Sequence, residues 1–329
     1  MTVTTSRPPA APPPAPAATA PAPPPATASR PLPAVTASPP ASGASSPAHL
    51  AFHLSGAGLT ILAVVLLAFV AHLTVVSQLR YARSQQTAYA DFRYELANAT
   101  APVGQTDENG KLVPPGSAVA VLRIPAIDLR TVVFEGTRGD VLESGPGHRR
   151  DTVLPGQAGT SIVMGRKFLY GGPFGALDVL TTGDEITAIT GQGEHKYRVI
   201  ALRRAGEEAP PPSETAPGRL VLITADGPVY APEDLLYVYA ELTSDAQPAA
   251  RRAFGAASLP ASERPMAADQ NAWMSVVLWG QALLLAVSAV TWVRVRRGRW
   301  PAWIVGLPVC GALGLTLADQ VARLLPNLM

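Results

Sequence analysis

The sequence is poor in cysteine and in charged side chains. Its one cysteine, Cys310, lies in an apolar stretch, so neither a disulfide within the chain nor a cysteine-based metal site can form. Only 15% of the 329 residues are charged, whereas 47% are hydrophobic, which is high for a soluble protein of this length. We therefore expect no metal site, no cofactor, and a chain that is partly embedded in a membrane.

Bulky apolar residues are scarce in the first part of the chain. Residues 1–53 consist mostly of Pro, Ala, Ser and Thr, and such a segment buries too little apolar surface to offset the entropy lost on ordering. The composition predicts a disordered tail. It does not resemble a signal peptide, because no apolar core directly follows its start.

Three long apolar runs follow, at residues 54–79, 273–293 and 300–325. Each is long enough to cross a hydrocarbon layer of ~30 Å as a helix. We therefore predict three transmembrane helices in a multi-pass protein of the cell membrane.

The orientation of these spans follows from the short connection at residues 294–299. It contains four arginines and no acid, and short loops with an arginine excess stay in the cytoplasm. Alternation of the spans then places the tail 1–53 in the cytoplasm. The region outside the membrane comprises a stalk and linker (80–117), a folded domain (118–243) and a second linker, read as a flexible tether (244–272).

The folded domain contains short alternating or apolar runs, separated by Gly, Pro and Asp turn signals. Runs of this length and spacing predict a mainly β domain, either a closed barrel or a sandwich. One short helix is predicted at Arg138–Ser144. The predicted strands are Val119–Ile124, Thr131–Glu135, Ser161–Gly165, Glu185–Thr190, Tyr197–Leu202, Leu220–Thr224 and Leu236–Leu242.

The region from about Ala118 to Thr243 resembles the sortase family. The resemblance lies in the ordered phrases LRIPAIDLRTVVFEGT, VLESGPGH, TVLPGQAGTSIVMG, FLYGGPFGALDVLTTGDEI and LVLITADG. It is greatest for the sortases of high-GC Gram-positive bacteria, of the actinobacterial class E and F type. The resemblance implies an eight-stranded β-barrel with short helices, to which the sequence adds the three spans.

Sortases cleave a sorting signal such as LPxTG and join the acyl product to an amine, using a cysteine thiolate, a histidine and an arginine. The resemblance places the family's histidine at Arg166, its cysteine at Ala225 and its arginine near Leu235. An alanine methyl group cannot attack a carbonyl, and a guanidinium does not deprotonate at working pH. The chain therefore resembles a sortase that has lost its catalytic residues.

Four residues are candidates for lining a binding groove: Arg166, Thr224, Asp226 and His148. We expect Asp226 to form a salt bridge with Arg166 and fill the former site; alternatively, Arg166 anchors a peptide carboxylate. Strand alternation should point Thr224 away from the face of Ala225. His148 is expected to be a satisfied surface or loop histidine.

Three functions remain open. The first is a non-catalytic binding or scaffold module for an extended peptide or an envelope protein, with an active sortase or its substrate as candidate partners. The second is an active transpeptidase or hydrolase that acts on LPxTG-like signals with unusual residues. The third is a structural role for the spans. Nucleic acid is not an expected partner, because 118–243 carries sixteen acidic and twelve basic side chains.

Overall fold

The computed structural model describes residues 66–107, 109–211, 216–228, 232–250, 253–268, 272–297 and 299–329. The predicted tail 1–53 and the first part of the predicted span 54–79 lie outside these residues.

Eight strands form a closed barrel in the middle of the chain. They are β1 (Ala118–Ile124), β2 (Leu129–Glu135), β3 (Gly147–His148), β4 (Gly159–Met164), β5 (Glu185–Thr190), β6 (Gly193–Arg204), β7 (Gly218–Asp226) and β8 (Asp234–Leu242). Around the barrel their order is β1, β2, β3, β4, β7, β8, β6 and β5. Neighbours are antiparallel, except that β2 pairs with β3 and β4 with β7 in parallel. The predicted mainly β barrel is confirmed.

Alternate residues of the strands fill the barrel interior with aliphatic side chains. Leu122, Val163, Leu222 and Val238 are all fully buried there. The loss of this apolar surface from water is the main favourable contribution to folding.

Among the described residues, four α-helices accompany the barrel. They are α1 (Ser77–Ala97), α2 (Gly139–Leu142), α3 (Ala272–Arg297) and α4 (Arg299–Arg323). Residues 66–71 are also helical, and a π-helical turn at His72–Val76 joins them to α1. The short helix predicted at Arg138–Ser144 is therefore present as α2, with one residue less at its start and two less at its end.

The α1 helix covers the outer face of β1 and β2. Its Phe92 is fully buried against Val121 and Val132. Gln85 completes the contact, because its side-chain amide accepts a hydrogen bond from the Val132 N–H (2.7 Å) and donates one to the Val132 carbonyl (3.2 Å). The helix thereby satisfies backbone groups that would otherwise be unpaired on that strand.

Two helices in the described part of the chain are long and apolar enough to cross a membrane, at Ala272–Val293 and Ile304–Arg323. They correspond to the second and third predicted spans. Of the first predicted span, 54–79, only residues 66–79 are described, and these are helical. The structure thus gives two candidate spans where the sequence predicted three.

Most of the predicted loop 294–299 is helical instead. Helix α3 continues to Arg297, and α4 begins at Arg299. Arginine favours helices, and residues 281–297 contain no Gly or Pro, so nothing in this stretch of sequence ends α3 earlier.

The α4 helix contacts the helix that leads to the barrel. Asp319 accepts a hydrogen bond from Arg80 at 2.5 Å and lies 3.8 Å from the buried ring of His72. Asp319 also contacts Arg323 at 3.4 Å, since residues four apart lie on the same face of a helix.

Within the predicted flexible tether 244–272, the described residues 253–268 pack on the barrel. Two 3-10 turns lie in this segment, and Glu263 is buried against the barrel. The Glu263 backbone carbonyl accepts a hydrogen bond from the Thr137 hydroxyl at 2.6 Å, and its carboxylate lies 3.5 Å from Arg150. Burial raises the pKa of the Glu263 carboxyl above its usual value. These tertiary contacts order a segment whose local composition favours a linker.

Candidate functional site

One end of the barrel brings together the three positions that the resemblance assigns to catalysis. Because β4 and β7 are parallel neighbours, their carboxyl ends lie at the same barrel edge. Arg166 follows β4, Ala225 lies near the end of β7, and Leu235 lies at the start of β8 directly opposite Ala225. The ladder between β4 and β7 extends to Gly165, whose N–H donates to the Ile223 carbonyl at 3.0 Å.

Gly165 holds the chain close to a buried ring just before Arg166. A Cβ atom at this position would lie 2.5 Å from the Phe174 ring, which is closer than real contacts allow. The close approach therefore requires glycine, and it fixes the path by which Arg166 enters the site.

Arg166 is a buried guanidinium with few partners. Its side chain is 2% exposed, and Nη2 donates to the Gly139 carbonyl at 3.0 Å. The guanidinium lies 4.8 Å from the centre of the Tyr170 ring, at a distance typical of a cation–π contact. Among the described residues, its Nε and Nη1 have no hydrogen-bond partner.

Burial disfavours the charged forms of the groups around this guanidinium. It lowers the pKa of Arg166, and it raises the pKa values of Glu143 and Tyr170 above their usual ranges. Glu143 is the acid whose charge acts most on Arg166. Sequence reasoning missed Glu143 and Tyr170, because only the folded chain brings them to this site.

Ala225 lies in an apolar cluster, with Met164 and Ile223 on the same side of the sheet. Thr224 is buried on the opposite side, as predicted, since alternate β7 residues Leu220 and Leu222 belong to the interior core. The Thr224 hydroxyl is therefore turned away from the position that a nucleophile would need.

The predicted salt bridge between Arg166 and Asp226 is wrong. Asp226 instead contacts Arg204 at 2.9 Å and Lys167 at 3.4 Å. Burial opposes ionisation of this carboxyl, but the Gly227 N–H and the two cations hold its pKa below the usual value. Lys167, the next residue along the chain, takes the partner that Arg166 was expected to have.

His148 is satisfied, but it does not lie at the surface as predicted. It is 1% exposed in β3, where Nδ1 lies 2.8 Å from a Glu135 carboxylate oxygen and Nε2 lies 2.9 Å from the Val153 carbonyl oxygen. Burial disfavours the imidazolium, but Glu135 more than offsets this, so the pKa of His148 is raised. The pair joins β2 to β3 rather than lining a groove.

The segment after α4 enters the site. Leu328 is fully buried in the cluster that contains Ala225, and its carbonyl accepts a hydrogen bond from the Lys167 N–H at 3.0 Å. The Asn327 side chain donates to the carbonyls of Thr137 and Arg264, both at 3.0 Å. Residues 324–329 thus place a short peptide against the barrel end, which sequence reasoning missed because it ended the third span at residue 325 and assigned no contact to residues 326–329.

Neither Arg166 nor Ala225 carries the imidazole or thiol that the resemblance implies at these positions. Cys310 belongs to α4, within a candidate span rather than at the barrel end. In the described part of the chain, no group of three or more His, Cys, Asp or Glu side chains could hold a metal ion. The available chemistry is apolar burial, backbone hydrogen bonding and the positive charge of Arg166.

A family model described as the sortase domain matches residues 122–243. Sortase D of Bacillus subtilis (strain 168) is 31% identical over 88 residues, which are 27% of this chain and 43% of that protein. The chain therefore spans less than half the length of this relative.

Solved sortases are also similar to the chain. Sortase D5 of Clostridium perfringens, described as a transpeptidase, is 22% identical, with a TM-score of 0.40 over 50% of this chain and 99% of that chain. Sortase E of Streptomyces avermitilis is 27% identical, with a TM-score of 0.34 over 40% of this chain and 91% of that chain. On the match of the family model, residues 122–243 form a sortase-like domain.

Proposed function

We propose that this sortase domain is a non-catalytic peptide-binding or scaffold module at the cell envelope, held by membrane helices. The proposed groove is the barrel end around Ala225 and Lys167, which residues 324–329 contact. It would bind an extended peptide from an envelope protein, and the candidate partners are an active sortase or a sortase substrate. The observation that carries the proposal is the identity of residue 225: an alanine lies at the end of β7, where the family resemblance requires a thiolate.

The neighbouring positions support the loss of chemistry. Arg166 occupies the place of the family's histidine, and a guanidinium neither accepts nor releases a proton during turnover. Leu235 supplies no charge beside Ala225, its direct partner across the β7–β8 pair. A sortase-type reaction needs a nucleophile, a base and a cation. In this chain, other residues would have to supply all three.

The occupied groove supports retained binding. Residues 324–329 combine a buried leucine, Leu328, with backbone and amide hydrogen bonds from Asn327. A buried apolar anchor with main-chain hydrogen bonds is a common mode of recognition for extended peptides. We infer that an external peptide competes with this segment for the same place.

The proposal includes the membrane arrangement predicted from the arginines at residues 294–299. The domain 118–243 would lie outside the cytoplasmic membrane of a Gram-positive cell, and the tail 1–53 inside it. In this arrangement, the groove faces the compartment in which envelope proteins are assembled.

The test is a binding measurement with a fluorescent peptide of residues 322–329, ARLLPNLM, on the protein purified in detergent. A variant lacking residues 324–329 should bind the peptide, and the full chain should bind it at least about tenfold more weakly, since its own segment competes. Ala225→Trp in the deletion variant should abolish binding by filling the Leu328 site. Ala176→Trp, at an exposed alanine, is the matched control and should bind normally.

Equal binding by Ala225→Trp and Ala176→Trp would refute peptide binding in this groove. The enzymatic alternative is tested on the same preparation with an LPxTG peptide and an amine acceptor. We expect no cleaved or transferred product, and turnover that disappears on mutation of a groove residue would overturn the non-catalytic assignment.

A further inference from the structure

A cavity of about 340 Å³ lies between the barrel end and the carboxyl end of α4. Its walls include the side chains of Arg138, Asp140, Arg166, Arg323 and Asn327. It is adjacent to the peptide groove, because Asn327 belongs to the segment that fills the groove. The cavity itself is not filled by that segment.

The cavity wall contains buried donors without acceptors. Arg166 is 98% buried by accessible surface, and its Nε and Nη1 find no hydrogen-bond partner among the described residues. A buried donor without a partner costs roughly 1–3 kcal/mol, and more when it is charged. A ligand that brings oxygen acceptors to these two nitrogens would remove that cost.

The charge around the cavity favours an anion. Arg138 pairs with Asp140, and Arg323 and Arg80 share Asp319. The remaining acid is Glu143, which acts on Arg166 but forms no ion pair with it within 4 Å among the described residues. Four arginines therefore face three acids, so the surroundings of the cavity carry excess positive charge, and the buried guanidinium of Arg166 has no close ion-pair partner among the described residues.

The position of Arg323 indicates which anion is available. It is the last residue of the candidate span Ile304–Arg323, so its side chain lies at the level of the lipid headgroups if this helix crosses the membrane. Headgroup phosphates are the most concentrated anions at that level. Arginine forks also match the geometry of phosphate oxygens.

We propose that this cavity binds the headgroup phosphate of a membrane lipid, with Nε and Nη1 of Arg166 as donors and Arg323 at its edge. The inference rests on the proposed membrane placement of α4, and it does not require peptide binding in the groove. The ligand joins the sortase domain to the bilayer at the point where α4 meets the barrel.

The test uses the full chain, stripped of lipid in a maltoside detergent, and calorimetric titration with dihexanoyl-phosphatidylglycerol or inorganic phosphate. Both probes should bind the unsubstituted chain, and Arg166→Met should weaken both at least about tenfold, since it removes two charge-assisted hydrogen bonds. Arg198→Met is the matched control, at an exposed position of strand β6, and should leave both affinities unchanged.

Arg323→Gln provides a second variant that keeps Arg166, in case Arg166→Met fails to fold, and it should weaken lipid binding about threefold or more. Unchanged lipid affinity in either folded variant would overturn the site. Binding of inorganic phosphate without binding of the lipid would overturn the headgroup assignment. A peptide carboxylate that binds at Arg166 when neither phosphate probe binds would also overturn it.

The two proposals fail separately. The peptide assay depends on residues 324–329 and Ala225→Trp, whereas the lipid assay depends on Arg166 and Arg323 in the full chain. Loss of peptide binding with intact lipid binding would reject the proposed groove function alone.

Discussion

Single side chains decide the chemistry at the barrel end where β4 and β7 finish. Ala225 offers a methyl group, Leu235 opposite it offers no charge, and Arg166 remains protonated despite its burial. The acid next to Ala225 in the sequence, Asp226, forms ion pairs outside the site. Asp226 pairs with Arg204 and Lys167 instead of entering the site.

The buried pair of His148 and Glu135 should make stability depend on pH. The pKa of His148 is raised in the folded chain. Its contribution to the free energy of unfolding is therefore complete below the ordinary histidine pKa of about 6.5, and it is lost as the pH rises through the pKa of the folded chain. We expect the melting temperature of the full chain to fall over this rise in pH. His148→Gln should remove that part of the dependence.

His195→Gln is the control for this measurement. His195 is also buried, but burial lowers its pKa, so it is neutral in both states above about pH 7 and adds no slope there. A pH dependence of His148→Gln equal to that of the unsubstituted chain would show that the pair is not charged.

The individual elements show how far local sequence determines structure. The seven predicted strands are present, because alternation and turn signals are local properties of the chain. The eighth strand, β3, has only two residues and leaves no periodic pattern. Strand β6 begins at Gly193, four residues before the predicted start, and this places His195 within the strand, buried against Gly156.

The α1 helix should depend on Gln85 for its attachment to β2. Gln85→Ala leaves the Val132 N–H and carbonyl without their side-chain partner, at a cost of about 2 kcal/mol. We expect amide hydrogen exchange at Val132 to accelerate by up to roughly 30-fold as the helix detaches more often. The measurement is exchange with mass spectrometry on the full chain.

Gln86→Ala is the matched control, since Gln86 is exposed on the same helix. It removes the same side chain without touching β2. Similar exchange rates for the two variants would mean that Gln85 does not hold the helix to the barrel.

For the whole molecule, the order of the barrel and the two candidate spans was predictable, but their contacts were not. Composition separates the tail, the apolar runs and the β domain. The packing of 244–272 on the barrel and the insertion of 324–329 into the site depend on residues far apart in sequence, such as Thr137 with Glu263 and Lys167 with Leu328. Such contacts leave no local periodicity. The catalytic positions could be located only because a family resemblance supplied them.

The proposed orientation can be tested with single cysteines in a Cys310→Ser background. Glu208→Cys, at an exposed position of the barrel, should react with a membrane-impermeant maleimide in intact cells. Ser29→Cys, in the tail, should react only after permeabilisation, because the arginine cluster at residues 294–299 retains that side in the cytoplasm. The measurement is the labelled fraction on a gel, and the reverse pattern would invert the topology.

The burial of Leu328 beside Ala225 also has a consequence for biosynthesis. Residues 324–329 are translated after the barrel strands and after both candidate spans, so the apolar patch around Met164 and Ile223 lacks its cover until α4 has left the ribosome. Completion of this barrel end is thereby coupled to the synthesis of α3 and α4. If translation stops before this point, the nascent barrel exposes this apolar patch to water. Exposed apolar surface of this kind promotes aggregation and recruits chaperones and quality-control proteases.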